Sequence, residues 1–220
     1  MTTEDAALEA VGALGDPVRR ALYRFVAAAT GDTGRDAAAE SVGVSRSLAA
    51  FHLDKLVEAG LLEVSFRRLS GRTGPGAGRP AKVYRRAGEE HSVALPPRSY
   101  DAVSRILAEV VDRAGLDREL QAAARAEGMA LGARSAADVD LVEALRSRGY
   151  EPFLDETTLR LRNCPFHALS REFPPLVCGM NLALLQGLLD GLPGDPSWEA
   201  VLEPRPELCC VALKSKTNND

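Results

Sequence analysis

The stretch Ser41-Val42-Gly43-Val44-Ser45-Arg46-Ser47-Leu48-Ala49-Ala50-Phe51-His52-Leu53-Asp54-Lys55-Leu56-Val57-Glu58-Ala59-Gly60-Leu61 leaves few options for the fold around it. Gly43 supplies a tight turn, and Ser45 stands where its hydroxyl caps a helix reaching Ala59. Gly60 falls just past the last helical residue, where left-handed backbone costs glycine least. Ala49, Leu53 and Leu56 recur at four- and three-residue steps and make one buried helix face. Upstream, Thr33 is expected to cap a short helix over Gly34 to Val42. Between Asp5 and Ala29, Leu8, Val11, Leu14, Val18, Leu22, Phe25 and Val26 form an apolar stripe at helical spacing. The stripe breaks at Gly15-Asp16-Pro17, where Asp16 caps a new helix and Pro17 takes its first position. A short helix, a glycine turn and a longer helix predict a helix-turn-helix.

A hairpin is expected directly after it. Leu61 to Leu69 and Ala81 to Arg86 read as strands, joined by residues 70–80, too rich in Gly and Pro to build a packed element. Residues 60–88 carry Arg67, Arg68, Arg72, Arg79, Lys82, Arg85 and Arg86 against Glu63 alone. The net charge of the chain is −4, so this +6 segment sits on a remainder of −10. A local basic patch on an acidic protein fits focused phosphate contact rather than wholesale polyanion binding.

Hairpin and helices together predict a winged helix-turn-helix that binds double-stranded DNA. Ser45, Arg46, Ser47 and Ala50 occupy the leading end of the second helix, where such helices meet base edges and phosphates. Small residues there permit close approach, and Arg46 reaches a guanine edge or a phosphate. The cationic loop lies along a phosphate backbone or enters the minor groove. The candidate DNA contacts are Ser45, Arg46, Ser47, Ala50, His52, Lys55, Arg67, Arg68, Arg72, Arg79 and Lys82. His52 reads equally as a residue packed at the core edge or as a phosphate contact, and Phe51 is expected to pack rather than to stack on bases.

The remaining chain divides further. Residues 99–148 are Ala- and charge-rich and read as helical throughout, with Val103, Ile106, Leu107, Val110, Val111, Leu141, Val142 and Leu145 as apolar stripes. From Gly149 the composition shifts: Tyr150 to Leu154 and Thr158 to Arg162 read as strands, Pro175 to Leu192 as a helix, and Glu199 to Leu213 as further strand. No apolar run approaches the roughly 18 residues that span a bilayer. Met1 to Leu8 holds two acids and no base, unlike a signal or transit peptide. At 45% hydrophobic and 26% charged residues the chain is neither disordered nor collagen-like. All four cysteines, Cys164, Cys178, Cys209 and Cys210, lie in the last part of the chain. With no secretory signal the reducing cytoplasm is the expected compartment, and reduced thiols, a metal centre or a redox switch are better readings than disulfides.

Val44 to Leu62, together with Gly78-Arg79-Pro80-Ala81-Lys82-Val83-Tyr84, resembles the ArsR-type winged-helix transcriptional regulators. Asn163-Cys164-Pro165-Phe166 and the later cysteines extend the resemblance to the branch that contains the SufR iron–sulfur-responsive repressors. The resemblance implies a homodimeric repressor whose C-terminal half senses a signal. It also implies that Cys164, Cys178 and one of Cys209 or Cys210 bind an iron–sulfur cluster, [4Fe-4S] or [2Fe-2S]. The paired-cysteine motif of heavy-metal sensors is absent from the helix at 45–59.

The residues themselves leave the cysteine chemistry open. Thirteen residues separate Cys164 from Cys178 and thirty separate Cys178 from Cys209, too wide for a zinc ribbon. A loop, a helix and a strand of one subdomain could assemble such a site, with His167 or the second cysteine of the final pair completing it. Strand alternation through Cys209-Cys210-Val211-Ala212-Leu213 puts Cys209 with Val211 and Leu213, and Cys210 opposite. Buried, chemically idle thiols are the alternative, and zinc a less favoured one. Cys164 and His167 can be drawn as nucleophile and base, but no phosphate loop, GxSxG elbow or HExxH accompanies them, so no enzyme is expected.

The expected architecture is mainly α with small β. A winged helix-turn-helix domain spans 1–97, a helical linker and dimerisation segment 98–148, and an α+β sensor subdomain 149–220. The expected function is a homodimeric regulator on an inverted-repeat operator, with no membrane partner. A regulator that senses a small organic ligand, its cysteines structural, is the runner-up, and a protein-contact scaffold is a third reading.

Overall fold

A computed structural model describes residues 3–29, 31–67, 80–88, 90–135, 139–193 and 197–216. The chain forms two compact units, residues 1–98 and 99–220.

The first unit opens with α1 (Thr3–Ala13) and α2 (Pro17–Ala28). The carboxylate of Asp16 accepts the backbone N–H of Arg19 at 2.9 Å, so the Asp-Pro start of α2 is capped as its sequence dictates. A two-residue strand β1 (Thr33–Gly34), α3 (Arg35–Val42) and α4 (Arg46–Glu58) follow. Thr33 does not cap α3, as expected of it; Gly34 takes that position, with no side-chain bond. Thr33 is instead buried in the sheet, opposite Tyr84. Tertiary pairing outweighs a local cap here.

Gly43 turns the chain between α3 and α4 at φ 72°, and the Ser45 hydroxyl accepts the Leu48 N–H at 3.3 Å. Gly60 closes α4 at φ 73°. Strands β2 (Leu62–Arg67) and β3 (Ala81–Arg86) pair antiparallel from Leu62 opposite Arg86 to Arg67 opposite Ala81. The sheet order is β1-β3-β2. Leu22, Val26, Ala38, Ala39, Ala49, Leu53, Leu56, Leu62 and Tyr84 form the core between helices and sheet.

The second unit contains α5 (Tyr100–Ala114), α6 (Asp117–Ala133), α7 (Leu141–Arg146), β4 (Pro152–Asp155), β5 (Thr158–Leu161), α8 (His167–Glu172), α9 (Pro174–Gly191), β6 (Trp198–Leu202) and β7 (Val211–Ser215). The helices at 98–148, expected as a segment of their own, fall in this unit because α6 packs on α9 backbone to backbone. A Cβ at Gly128 would stand 2.1 Å from the Leu184 carbonyl oxygen, and one at Gly187 2.1 Å from that of Arg125. Gly132 and Gly191 meet the partner helix as closely. Residue numbers rise together along the contact, so the two helices run parallel. At its edge Arg125 binds Gln186 at 3.1 Å and Asp190 at 2.5 Å.

The strands form one antiparallel sheet, β4-β5-β7-β6. The single strand expected from Glu199 to Leu213 is in fact two, β6 and β7, with Cys209 and Cys210 ahead of the second. Leu145, Leu159, Leu161, Leu185, Leu188, Val211 and Leu213 make the second core. On β5, Arg160 is buried between Asp155, at 2.9 Å, and Glu203. Hydrogen bonds from Lys214 and Arg160 hold the Glu203 carboxyl down at about 2. Among the described residues no helix is long and apolar enough to cross a membrane.

Candidate functional site

On α4 the buried line is Ala49, His52, Leu53 and Leu56. At 100° per residue, Ser47, Phe51, Asp54 and Glu58 run along the opposite side. Ser45 and Ser47 are exposed with their hydroxyl oxygens 3.1 Å apart, Arg46 is exposed, and Ala50 is half-buried. His52, one of the candidate contacts, is 8% exposed with Nδ1 lacking a hydrogen-bond partner, so a phosphate contact is corrected to a packed residue. The periodicity accounts for this, since His52 lies one turn before Leu56 on the inner face. Phe51, expected to pack, is 57% exposed instead, its ring edge-on to His52 at 5.2 Å.

The described cations among the candidates all have acids beside them. Arg46 lies 3.4 Å from Asp36, Lys55 2.6 Å from Glu58 and Lys82 2.5 Å from Asp54. Arg67 Nε stands 2.5 Å from Asp32 Oδ2 but off the hydrogen-bond direction, which makes that pair Coulombic. Exposed pairs of this kind are worth under about 1 kcal/mol each, so a phosphate oxygen replaces an acid partner at little cost. The Tyr84 hydroxyl also donates to Asp54, at 3.1 Å. Burial and then the Asp54 charge push the Tyr84 hydroxyl well above its ordinary range, which keeps it a donor. Arg68, Arg72 and Arg79, with the rest of 68–79, lie outside the described residues.

The second unit brings the four thiols together. Cys164 follows β5 in the loop before α8, Cys178 sits in the second turn of α9, and Cys209 and Cys210 precede β7. Cys164 and Cys209 are buried within the core, while Cys178 and Cys210 are half-buried. Cys164 and Cys210 lie near Cys209, and Cys178 lies near Cys210, close enough for each to bear on its neighbour's ionisation. Cys209 is buried in one core with Val211 and Leu213, as expected, while Cys210 is half-buried and packs against that same core; both precede the strand.

Hydrogen bonds from Cys164 and Cys210, with the Val211 N–H and the Asn181 amide, hold the Cys209 thiol far below its usual range. Sharing with Cys209, then burial, pushes Cys164 and Cys210 up. Asn181 Nδ2 donates to Cys209 Sγ at 3.4 Å, and the Tyr150 hydroxyl donates to Asn181 Oδ1 at 2.5 Å. Burial, then the nearby cysteines, drives the Tyr150 hydroxyl upward, so it too stays a donor. The Phe166 N–H supports Cys164 in the same way that Val211 supports Cys209.

His167 is exposed on the first turn of α8; its backbone N–H donates to the Cys164 carbonyl at 3.0 Å. No three His, Cys, Asp or Glu side chains among the described residues stand ready to hold a metal ion. What the site offers is four sulfurs from three places in the chain, the ligand type of iron–sulfur groups, with the Asn181 amide directed at Cys209. Tyr150 and Asn181 went unnoticed in the sequence. An Asn between Met180 and Leu182, in the apolar run that precedes Gln186, was the available signal.

Compared with known families, residues 14–65 match a helix-turn-helix domain. No curated protein and no solved structure matches the chain. The matched residues run from the end of α1 through β2, and they support a DNA-binding transcriptional regulator.

Proposed function

We propose that the protein is a cytoplasmic, homodimeric winged helix-turn-helix repressor of the ArsR type, in the SufR-like branch. It binds an inverted-repeat operator with α4 and the β2–β3 hairpin, and its thiol group senses iron–sulfur or redox status. The observation that carries the DNA-binding reading is the capped leading end of α4, exposed beyond the Gly43 turn and followed at once by an antiparallel hairpin. Ser45, Arg46, Ser47, Lys55, Arg67 and Lys82 are its candidate polar contacts among the described residues, and Arg68, Arg72 and Arg79, outside them, remain candidates from the sequence.

The apolar side of α5 supports the dimer. Tyr100, Val103, Leu107 and Val110 follow three-four-three spacing and each is more than half exposed. A second copy covers such a stripe, and twofold symmetry then sets two α4 helices on successive turns of DNA.

Cys164, Cys178, Cys209 and Cys210 would hold an iron–sulfur cluster. When bound, the cluster supplies an oxidant-labile crosslink between the 164 loop, α9 and the segment before β7. A regulator of this kind needs the two thiol states to differ in operator affinity, typically by about 1–3 kcal/mol. Four free cysteines gathered in one unit, with no metal-holding group formed among the described residues, favour a second reading, in which the cysteines sense oxidants with no metal.

Anaerobic purification followed by an absorption spectrum and iron and zinc analysis separates the two. Visible absorbance with bound iron, lost in Cys164→Ser, is the expected result. A colourless protein without iron removes the cluster. Arg46→Ala should weaken operator binding in gel shifts, and an unchanged shift would count against the docking of α4.

A further inference from the structure

The sequence assigns base contact to the first turn of α4, yet an aromatic one turn later, Phe51, stands exposed on the side of α4 away from the core. Ala49, Leu53 and Leu56 are fully buried, and Phe51 projects from the opposite side with 57% of its surface exposed. Leu48, beside it, is 40% exposed. Exposing a Phe ring is unfavourable in water, and nothing in the first unit requires it at this position.

The acids on the same side are held by the unit's own cations. Asp54 takes both Lys82 and the Tyr84 hydroxyl, and Glu58 takes Lys55. Ser47 and Ala50 flank the ring with small side chains, so nothing bulky prevents close approach. The resulting surface is short, apolar and locally neutral, on the second helix of a helix-turn-helix. A major groove offers one apolar group to such a surface, the C5-methyl of thymine.

We propose that Phe51 is a specificity-determining residue that reads thymine C5-methyl groups in each half-site of duplex DNA. The inference rests on the DNA-binding reading above and adds what the helix selects. Arg46 and Arg67 hold the protein on phosphate while Lys55 and Lys82 stay beside Glu58 and Asp54, and the Phe51 ring, steadied edge-on by His52, discriminates between bases.

The test selects preferred sites from random duplexes with the full-length protein, then replaces each selected thymine by deoxyuridine, which removes only the methyl. Wild type is expected to lose about fourfold in affinity at one or two positions per half-site, the ~0.8 kcal/mol of one buried methyl. Phe51→Ala should bind the thymine duplex about tenfold more weakly and treat thymine and deoxyuridine alike, whereas Phe51→Leu keeps part of the preference. Because Phe51 is exposed, both variants should keep the wild-type circular dichroism.

Phe51→Ala that retains wild-type affinity and the wild-type thymine preference overturns the proposal while leaving DNA binding intact. A Phe51→Ala variant whose only change is its molecular mass overturns it too, in favour of a protein contact. If no duplex is enriched at all, both this proposal and the DNA-binding reading fall.

Discussion

Asn181 is closed to solvent, and both ends of its amide are in use, one taking the Tyr150 hydroxyl and the other giving to Cys209. Tyr150→Phe removes the donor and leaves Asn181 Oδ1 buried with no partner. An unsatisfied buried acceptor costs about 1–3 kcal/mol, so the urea midpoint should fall by that energy divided by the slope, with the slope itself unchanged. An unaltered midpoint would mean that the bond contributes nothing in solution. Several residues of this kind were legible in the sequence and others were not. Asp16 and Ser45 announce their caps because a cap depends only on the next three residues. Phe51 and His52 are neighbours whose fates differ by a 100° rotation about α4, and which of them turns inward depends on where α2 and the sheet lie.

Among the elements, the α6–α9 crossing has the sharpest consequence for substitution. Gly128→Ala and Gly187→Ala each force a methyl to within 2.1 Å of a backbone oxygen of the facing helix, which only separation of the helices relieves. Each should destabilise the second unit by roughly 3 kcal/mol or more, at or beyond the usual cost of overpacking, as read by thermal or urea unfolding. Gly43→Ala meets no neighbour but carries a φ of 72°, so strain alone should weaken the helix-turn-helix, by about 1 kcal/mol. The Gly-x-x-x-Gly spacing at 128 and 132 and again at 187 and 191 was readable in the chain, but a spacing names no partner. The displacement of Thr33 from cap to strand is the same limit, since β3 lies some fifty residues away. Helix ends and the β2–β3 hairpin were legible because turn chemistry is local. The break between β6 and β7 was marked as well, by Pro204 and Pro206, which have no N–H to give a ladder, so a single strand through that segment does not follow from the sequence.

At the scale of the molecule, the stripe on α5 tests the dimer. A 15-residue helix is marginal by itself in water, and the exposed apolar side of α5 is where the proposed dimer places the second copy. Val103→Glu combined with Leu107→Glu should sediment as a monomer and lose about a hundredfold in operator affinity, because each half-site is then held independently. A variant that remains dimeric moves the interface elsewhere. Charge was the large-scale property most open to misreading. The arginines near the hairpin stand out in the sequence, yet Arg67 and Lys82 are matched by Asp32 and Asp54, acids from distant parts of the same unit.

The meeting of α6 and α9 without an intervening layer of side chains also bears on how the second unit moves. Rotamer changes are the usual cushion between helices, and here there is none to absorb a displacement. A shift of α9 near Cys178 must therefore carry α6 with it, as two rods welded along their length turn together.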